Sequence, residues 1–304
     1  MPGNGGRRVI GPAKENICAV VVTFNPDPGF PERMAGIAGQ VSRIVVVDNC
    51  SAPRARDMLN ATCVRPDVDL ILNDENLGVA AALNQGVRRA GERSLRWVLA
   101  LDQDSTAEGF LVETLIDAFN HYPGKERIAV IGSNYFDEKR GKRFIKNDRA
   151  DPPWIEQTTA ITSGSLLSIS AFERFGPFRE DFFIDHVDDE YCLRALSKGF
   201  KVILCRRPVI RHPIGAAMAI PLFGKPVWTS GHSGIRRYYM IRNFVVLARE
   251  YLFTRPGWIL SRAYRHAAFA VLALLLEPSR GEKLRMMVRG MRDGLAGRMG
   301  RLPA

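Results

Sequence analysis

The chain has few cysteines, and their spacing matches no common metal or disulfide motif. Five occur in 304 residues, at Cys18, Cys50, Cys63, Cys192 and Cys205. The number is odd, no Cys-x-x-Cys pair is present, and three of the five lie in or beside apolar segments. This pattern argues against a disulfide framework or a zinc site. It favours buried free thiols in a reducing compartment.

A long apolar run is also missing. The longest lies near residues 267–276, far short of the roughly 20 residues that a membrane span requires. Residues 1–12 are rich in glycine and lack the apolar segment of a signal peptide. We therefore expect a cytoplasmic protein without secretory export, with a flexible N-terminal segment over residues 1–14.

Acidic residues are scarce in the last third of the chain. Residues 201–304 hold 19 of the 43 Lys and Arg residues but only 4 of the 32 Asp and Glu residues. The net charge of +11 therefore originates in this region. Such a surface is expected to face phosphate, nucleic acid or lipid headgroups, although a merely solvated basic surface is the alternative.

Four apolar segments alternate with helical patterns in the first hundred residues. Strands are predicted at 17–23, 44–48, 68–72 and 97–101, with helices at 30–40, 52–62 and 79–90. Strands that are apolar on both faces are typical of a parallel sheet covered by helices. The alternation predicts an α/β fold with a doubly wound, mostly parallel sheet. Basic amphipathic helices are predicted from residue 234 onward.

Polar side chains follow each of the four predicted strands. The segments at the strand ends are 23–26, 48–49, 73–76 and 102–105. In doubly wound sheets, ligands bind beyond the carboxyl ends of the strands. Any one of these segments is equally suited to cap a helix, but four together indicate a binding site.

Asp102-Gln103-Asp104 is the strongest candidate for a metal site. Mg²⁺ and Mn²⁺ prefer oxygen ligands and commonly bind one or two carboxylates plus substrate phosphates. An isolated Asp-x-Asp is a weak signal, and its position after an apolar strand strengthens it. Asp48, at the end of the second strand, is a candidate to accept a hydrogen bond from a nucleobase or ribose, or else to cap the helix that follows.

Ordered motifs over residues 17–245 resemble glycosyltransferase family two, the inverting transferases with a GT-A fold. The matching segments are 22–25 (VTFN), 46–49 (VVDN), 76–86 (NLGVAAALNQG), 101–105 (LDQDS), 163–165 (SGS), 182–194 (FFIDHVDDEYCLR), 211–215 (RHPIG) and 237–243 (RYYMIRN). The LDQDS and FID-x-VD-x-E forms resemble the bacterial rhamnosyltransferase branch. The resemblance implies transfer of L-rhamnose from dTDP-L-rhamnose to a saccharide or lipid-linked acceptor during synthesis of a cell-surface polysaccharide such as O-antigen.

The resemblance also implies a role for each matched residue. Residues expected to bind the nucleotide sugar are Thr23, Asn25, Asp48, Asn76, Gly78, Asn84 and Asp102. Ligands expected for Mg²⁺ or Mn²⁺ are Asp102, Asp104 and His212. Residues expected near the acceptor or the diphosphate are Ser163, Gly164, Asp189, Glu190, Arg237, Tyr238 and Arg242. The structural alternatives are a tight bend at Ser163-Gly164 and a basic helix face with a core tyrosine at 237–242.

Asp188 aligns with the general base of the family. An inverting transfer needs one carboxylate to take the proton of the attacking acceptor hydroxyl. The segment offers Asp185, Asp188, Asp189 and Glu190, and crowded carboxylates raise one another's pKa. Local chemistry leaves the choice among them open, because Asp189 and Glu190 also suit the N-terminus of the helix that follows. The resemblance selects Asp188.

The expected organisation is a catalytic domain over 15–233, followed by the basic helical region 234–304. Within the domain, 15–105 binds the nucleotide sugar and 106–233 the acceptor. The C-terminal helices are expected to contact the inner face of the cell membrane, or else to pack on the domain or on a second subunit, and association into a homo-oligomer is left open.

Three other functions compete with rhamnosyl transfer. The first is the same fold with a UDP-hexose or UDP-galactofuranose donor. The second is a sugar nucleotidyltransferase, which would carry a glycine-rich basic loop where this chain has residues 25–28 (NPDP). The third is a nucleic-acid-binding module, which is disfavoured because no recognition motif is found. No nucleic-acid partner is therefore expected.

Overall fold

A mixed β-sheet with helices on both faces forms the centre of the molecule. The computed structural model describes residues 10–138, 141–212, 218–222 and 225–303, so most of the expected flexible segment 1–14 lies outside the described residues. The strands are β1 (Ile17–Thr23), β2 (Arg43–Asp48), β3 (Val68–Leu72), β4 (Trp97–Asp102), β5 (Thr106–Ala107), β6 (Ile128–Asp137), β7 (Lys142–Arg143), β8 (Trp154–Glu156), β9 (Ser165–Ser168), β10 (Lys201–Arg211), β11 (Met218–Leu222) and β12 (Lys225–Thr229).

Nine α-helices are seen among the described residues. They are α1 (Phe30–Ala38), α2 (Pro53–Thr62), α3 (Val79–Glu92), α4 (Leu111–His121), α5 (Ile169–Phe175), α6 (Val187–Ser197), α7 (Gly234–Tyr251), α8 (Pro256–Leu276) and α9 (Arg280–Leu295). Short 3-10 helices occupy Lys14–Asn16, Lys125–Arg127 and Glu180–Phe182. The alternation of strand and helix up to β4 is the one predicted.

The sheet follows the order β3-β2-β1-β4-β9-β6-β10-β5. β1 pairs in parallel with β2 and β4, and β2 pairs in parallel with β3. Antiparallel β9 lies between β4 and β6, while β6 and β10 are again parallel. This confirms the α/β class with a mostly parallel sheet flanked by helices. The antiparallel insertion places the loop before β9 beside the carboxyl end of β4.

The two faces of β1 enter two hydrophobic cores. Cys18 and Val20 pack with Leu83 of α3, while Ala19 and Val21 pack on the opposite face with Leu111 of α4. Alternate side chains of a strand point to opposite faces, so a strand covered on both sides is apolar throughout. This is why the uninterrupted apolar pattern of the sequence identified β1 correctly.

The C-terminal helices pack closely on one another. Gly290 and Gly294 of α9 face the backbone of α7, where an added Cβ would lie 2.4 Å from the carbonyl oxygen of Tyr238 and 2.7 Å from that of Arg242. A buried ion cluster also joins them, since the Glu277 carboxylate accepts from Arg237 at 2.8 Å and from Lys283 at 2.7 Å. Side chains at these crossings thus hold the basic region together.

Helix α8 corrects the prediction that no segment is long enough to span a membrane. It is 21 residues long with a mean hydropathy of 1.4 over its most apolar window, and among the described residues it is the one helix that passes a length and composition test. Only 11% of that window is buried. Arg262 and Arg265 interrupt the apolar run in the sequence. In the helix these two residues lie close to one side, because they are three positions apart.

Candidate active site

The two carboxylates of the Asp-x-Asp motif meet a histidine at the carboxyl edge of the sheet. Ligand atoms of Asp102, Asp104 and His212 all lie within 4.8 Å of one another. His212 Nε2 is 3.8 Å from an Asp102 oxygen, and Nδ1 is 3.6 Å from an Asp104 oxygen. β10 ends at Arg211, which brings His212 from a distant part of the chain to this edge.

Two buried serines hold this cluster from behind. Ser105 Oγ lies 2.7 Å from His212 Nδ1 and 2.7 Å from Ser163 Oγ, and the backbone N–H of Asp102 donates to Ser163 Oγ at 3.0 Å. With Nδ1 engaged by Ser105, Nε2 of His212 is the nitrogen left to bind a metal. Ser105 was part of the sequence motif but was not selected as a site residue.

The donor set fits a hard divalent cation. The Asp102 and Asp104 side chains are 44% and 45% exposed, so both face an opening, whereas His212 is 12% exposed. Loss of surrounding water raises the pKa of Asp102, His212 lowers it, and the nearby Asp104 charge raises it again. Two carboxylates and one imidazole that converge in this way are suitable ligands for Mg²⁺ or Mn²⁺, which would relieve the repulsion between the acids.

Ser163 and Gly164 lie beneath the cluster. Ser163 is 1% exposed. Gly164 donates its N–H to the carbonyl oxygen of Ala100 at 2.8 Å. Its φ is +76°, and a Cβ there would lie 2.4 Å from Ser133 Oγ. These contacts favour a supporting role, and the expected acceptor contact stays a prediction.

Thr23, Asn25 and Asp48 converge at the ends of β1 and β2. Thr23 Oγ1 donates to the Asp48 carboxylate at 2.9 Å, as does the backbone N–H of Ser51 at 2.9 Å, and the Ser51 hydroxyl binds it as well. Asn25 accepts from the N–H of Ala52 at 2.8 Å. Asp48 is fully buried, so its present partners are protein groups that brace the turn into α2.

Asn76 and Gly78 lie next to this group, but Asn84 does not. Asn76 Oδ1 accepts from the N–H of Gly78, whose carbonyl oxygen accepts from the Asn49 side chain. Asn84 is fully buried, where it donates to and accepts from the backbone of Phe178 at 2.9 Å. These contacts fix the loop at Phe178, and the expectation that Asn84 shapes the donor pocket stays a prediction.

The segment that carries Asp188 has an uncommon backbone. Phe183, Asp185 and His186 have φ values of +65°, +63° and +60°, respectively. Residues other than glycine rarely adopt this region, and such residues cluster at functional sites. The side chain of Asn243 in α7 donates to three carbonyl oxygens here, those of Phe182, Ile184 and Asp185. The geometry is therefore maintained by a C-terminal helix.

Asp188 is the carboxylate of this segment that lacks a cationic partner at bonding distance among the described contacts. It lines a small recess with Thr162 and Ser165, on either side of Ser163. Burial is the largest cause that raises its pKa, followed by the charge of Asp189, and together they bring it to about 7. A carboxyl group that titrates near neutrality is suited to proton transfer.

Asp189 and Glu190 are paired inside the protein, so their expected role near the acceptor, which stays a prediction, would require these partners to be released. Asp189 binds His186 at 2.8 Å and Arg262 at 3.2 Å. Burial raises the pKa of Asp189, but these two partners outweigh it and bring the value to about 2. Glu190 is 1% exposed and forms a two-point ion pair with Arg194 at 2.7 and 3.0 Å. While these pairs persist, neither is available to a substrate hydroxyl.

Three residues of α7 likewise have partners within the protein. Arg237 pairs with buried Glu277, Tyr238 OH donates to Asp293 at 3.1 Å, and Arg242 donates to the carbonyl oxygens of Asp181 and Phe182, both at 3.0 Å. All three side chains are buried. These contacts favour the alternative, a structural role, and the expected contact with the diphosphate or acceptor stays a prediction.

Arg236 is the arginine of α7 that faces the site, and the sequence analysis did not select it. Its side chain is 41% exposed and binds Asp185 at 3.2 Å, and its charge lowers the pKa of Asp102. In the Arg236-Arg237 pair, only the register of the helix decides which side chain points to the acidic edge. No signal in the sequence separates them.

Comparison with known proteins agrees with this geometry. Residues 18–186 match the model of Glycosyl transferase family 2. The dTDP-rhamnosyl transferase RfbF of Shigella flexneri is 30% identical over 249 residues, which cover 77% of this chain and 80% of the relative.

Two solved structures share the fold at low sequence identity. The mannosyltransferase PcManGT of Pyrobaculum calidifontis, in complex with GDP-Man and Mn²⁺, aligns with a TM-score of 0.55 at 18% identity over 93% of this chain and 88% of that one. TarS 1-349 of S. aureus in complex with UDP aligns with a TM-score of 0.52 at 13% identity over 93% and 92%. Together with the family match, the fold and the acidic edge of the sheet lead to one conclusion: the chain belongs to glycosyl transferase family 2, and it is a glycosyltransferase.

Proposed function

We propose that the protein is an inverting rhamnosyltransferase that uses dTDP-L-rhamnose. Its acceptor would be a saccharide or lipid-linked saccharide of a cell-surface polysaccharide such as O-antigen. One observation carries the proposal: Ser163 contacts Asp102 and Ser105 beside the metal cluster, and the adjacent residue, Thr162, lines the recess of Asp188. The 30% identity to a dTDP-rhamnosyl transferase supports the choice of donor.

The diphosphate of the donor would lie at the acidic edge of the sheet. Asp102, Asp104 and His212 would hold Mg²⁺ or Mn²⁺, which supplies neutralising charge for the departing diphosphate. Arg236 approaches the same edge and has the forked donors that suit phosphate oxygens. Thr23, Asn25, Asp48, Asn76 and Gly78 line the neighbouring strand ends, where the nucleoside would bind once the Asp48 contacts rearrange.

Asp188 would act as the general base. It would accept the proton of the acceptor hydroxyl while that oxygen attacks the anomeric carbon from the face opposite the diphosphate. The new glycosidic bond forms as the bond to the diphosphate oxygen breaks, and the electron pair leaves with dTDP. A single displacement inverts the anomeric centre and needs no covalent intermediate with the protein.

Contact with the inner face of the cell membrane is part of the proposal. In α8, the apolar residues Leu260, Tyr264, Val271 and Leu275 are 56–76% exposed. At 3.6 residues per turn they fall on one side of the helix. The adjacent helix α9 carries exposed arginines, and an apolar stripe beside basic residues favours an anionic lipid surface over a neutral partner. This surface would bring a lipid-linked acceptor to the site from the cytoplasmic side.

Thermal unfolding with nucleoside diphosphates tests the donor site. Because a ligand stabilises the native state to which it binds, dTDP with Mn²⁺ is expected to raise the Tm of the wild type by several degrees. Asp102→Ala combined with Asp104→Ala should abolish the shift, whereas Asp117→Ala, at an exposed position of α4, should keep it. A Tm shift with dTDP that is the same with and without metal would contradict the proposed metal and diphosphate site.

A donor with uracil is the second candidate, and the same experiment separates it. UDP would stabilise the protein more than dTDP if a UDP-hexose or UDP-galactofuranose were the substrate. A panel of nucleotide sugars with a lipid-linked saccharide acceptor, scored by release of the nucleoside diphosphate, then identifies the sugar.

A further inference from the structure

Helix α8 contacts the segment that carries Asp188 through its inward face. Arg262 donates to the carboxylate of Asp189 at 3.2 Å. His266, one turn further along, has its Nε2 3.1 Å from Nε2 of His186, whose Nδ1 is 2.8 Å from the other Asp189 oxygen. Arg262 therefore contacts Asp189, which directly follows Asp188. His266 contacts His186, which precedes Asp188 by two residues.

These contacts are enclosed by protein. The side chains of His186 and Asp189 are 7% and 11% exposed. Phe244 of α7 packs on both imidazoles, with ring centroids 6.1 Å from His186 and 4.8 Å from His266. In such surroundings a polar group without a hydrogen bond is unfavourable. We therefore expect each polar side chain between α8 and Asp189 to keep its partner.

The direction of the hydrogen bonds follows from the chemistry of the end groups. Because the pKa of Asp189 lies at about 2, its carboxylate is ionised and can only accept. Nδ1–H of His186 therefore donates to it. Burial, followed by the neighbouring His186 and Arg262, lowers the pKa of His266 to about 3, so this imidazole is neutral, and its Nε2 lies at hydrogen-bond distance from Nε2 of His186.

The segment needs such support because its backbone is strained. Asp185 and His186 both have positive φ, a conformation that is unfavourable for residues with side chains. Asp188 follows two residues later in the first turn of α6, so its position depends on how His186 and Asp189 are held. The backbone of this turn is held by α7, while the side chains on both sides of Asp188 are held by α8.

We propose that Arg262 and His266 are positioning residues, which orient the catalytic carboxylate of Asp188 by clamping Asp189 and His186. This rests on the proposed function, in which Asp188 is the base. Neither α8 residue touches the substrate, and both act on the reaction through the segment 186–189. The C-terminal helix is then part of the catalytic apparatus.

The test compares removal of each clamp with a conservative replacement. Arg262→Met and His266→Leu should lower kcat between about 10-fold and 100-fold, the range expected when a reacting group is misplaced by a fraction of an ångström to 1 Å. The KM for dTDP-L-rhamnose and the Tm shift with dTDP and Mn²⁺ should change less than twofold. His266→Gln keeps a donor near the Nε2 position and should recover most of the rate, and Arg262→Lys should recover part of it.

The pH profile separates positioning from a merely structural role. The charged groups that face Asp188 are Asp189, His186 and Arg262, and the last favours its ionised form. Arg262→Met should therefore move the acid limb of kcat to higher pH. Arg96→Met, at an exposed arginine just before β4, is the matched control and should leave kcat and the profile unchanged.

Three results have distinct meanings. If Asp188→Asn abolishes turnover while Arg262→Met and His266→Leu keep the wild-type kcat and pH profile, the clamp is refuted and the proposed function stands. If Asp188→Asn remains active, the assignment of the base fails, and the clamp fails with it. A fall in Tm without a change in kcat or in the acid limb also overturns the clamp.

Discussion

At the scale of single residues, two adjacent carboxylates show how surroundings decide chemistry. Asp188 and Asp189 follow one another at the start of α6, yet the first has a pKa of about 7 and the second of about 2. Asp189 has an arginine and a histidine as partners, whereas burial and the Asp189 charge act on Asp188. Ionised Asp189 thus helps to keep its neighbour suited to accept a proton.

The pH dependence of the reaction follows from this assignment. A general base acts in its ionised form, and the folded pKa of Asp188 is raised from 3.8 to about 7. Its ionised fraction, and with it kcat/KM, should fall about tenfold for each pH unit below about 7. Steady-state rates between pH 5 and 9 measure this.

Asp188→Asn is the companion variant for the pH experiment. It should bind dTDP with Mn²⁺ like the wild type and lose turnover at every pH. A wild type whose rate stays constant down to pH 5 would exclude a base with a neutral pKa.

At the scale of elements, the turn before α3 and the segment before α6 depend on one another. Gly78 has φ +87° and ψ +166°, and its neighbour Val79 donates its N–H to the carbonyl oxygen of Phe183 at 2.8 Å. A Cβ on Gly78 would lie 2.5 Å from that same oxygen. This close approach joins the strand-end turn of the donor half to the segment that carries Asp188.

Gly78→Ala should therefore damage both stability and activity. Its backbone region is almost restricted to glycine, so strain of about 1–3 kcal/mol is expected, and relief of the clash would displace Phe183 and the residues that follow it. Urea unfolding and kcat measure the two effects.

Gly36→Ala provides the matched control for this prediction. Gly36 lies within α1, where a Cβ would meet nothing within 4 Å. In a helix interior this change should stabilise the protein by about 0.5–1 kcal/mol. If Gly78→Ala and Gly36→Ala had the same effect on the free energy of unfolding and on kcat, the close approach of Gly78 to Phe183 would matter for neither.

At the scale of the whole molecule, two helices of the basic C-terminal region contact the segment that carries Asp188. Asn243 of α7 and Arg262 of α8 hold the segment 182–189 from opposite ends. The division expected at residue 234 stays a prediction, and α7 begins there at Gly234. The outward face of α8 remains apolar, so the same helix has one side towards the site and another towards its surroundings.

Membrane contact through that outward face is tested with vesicles. Val271→Ser combined with Leu275→Ser should reduce co-sedimentation with anionic phosphatidylglycerol vesicles several-fold. The reason is that transfer of apolar surface from water into the membrane contributes about 25 cal/mol per Å² to the binding free energy, and the variant transfers less of it. High salt should weaken the wild type as well, since its arginines are screened.

The control for the vesicle experiment is an exposed apolar residue outside the C-terminal region. Val64 is 80% exposed at the end of α2, and Val64→Ser should leave vesicle binding unchanged. If the α8 double variant instead binds vesicles normally but changes from dimer to monomer, the stripe is a subunit interface and the membrane proposal is wrong.

The sequence by itself determined the strands β1 to β4, the helices between them and the acidic motif at the end of β4. Those features follow from local periodicity, because a strand covered on both faces must be apolar along its whole length. Only the tertiary structure decided which polar side chains face the site. Arg236 and Arg237 are neighbours of the same chemistry, and helix register alone sends one to the acidic edge and the other to buried Glu277. His266 likewise meets His186 across 80 residues of chain, and no local pattern encodes a contact that depends on how three helices pack.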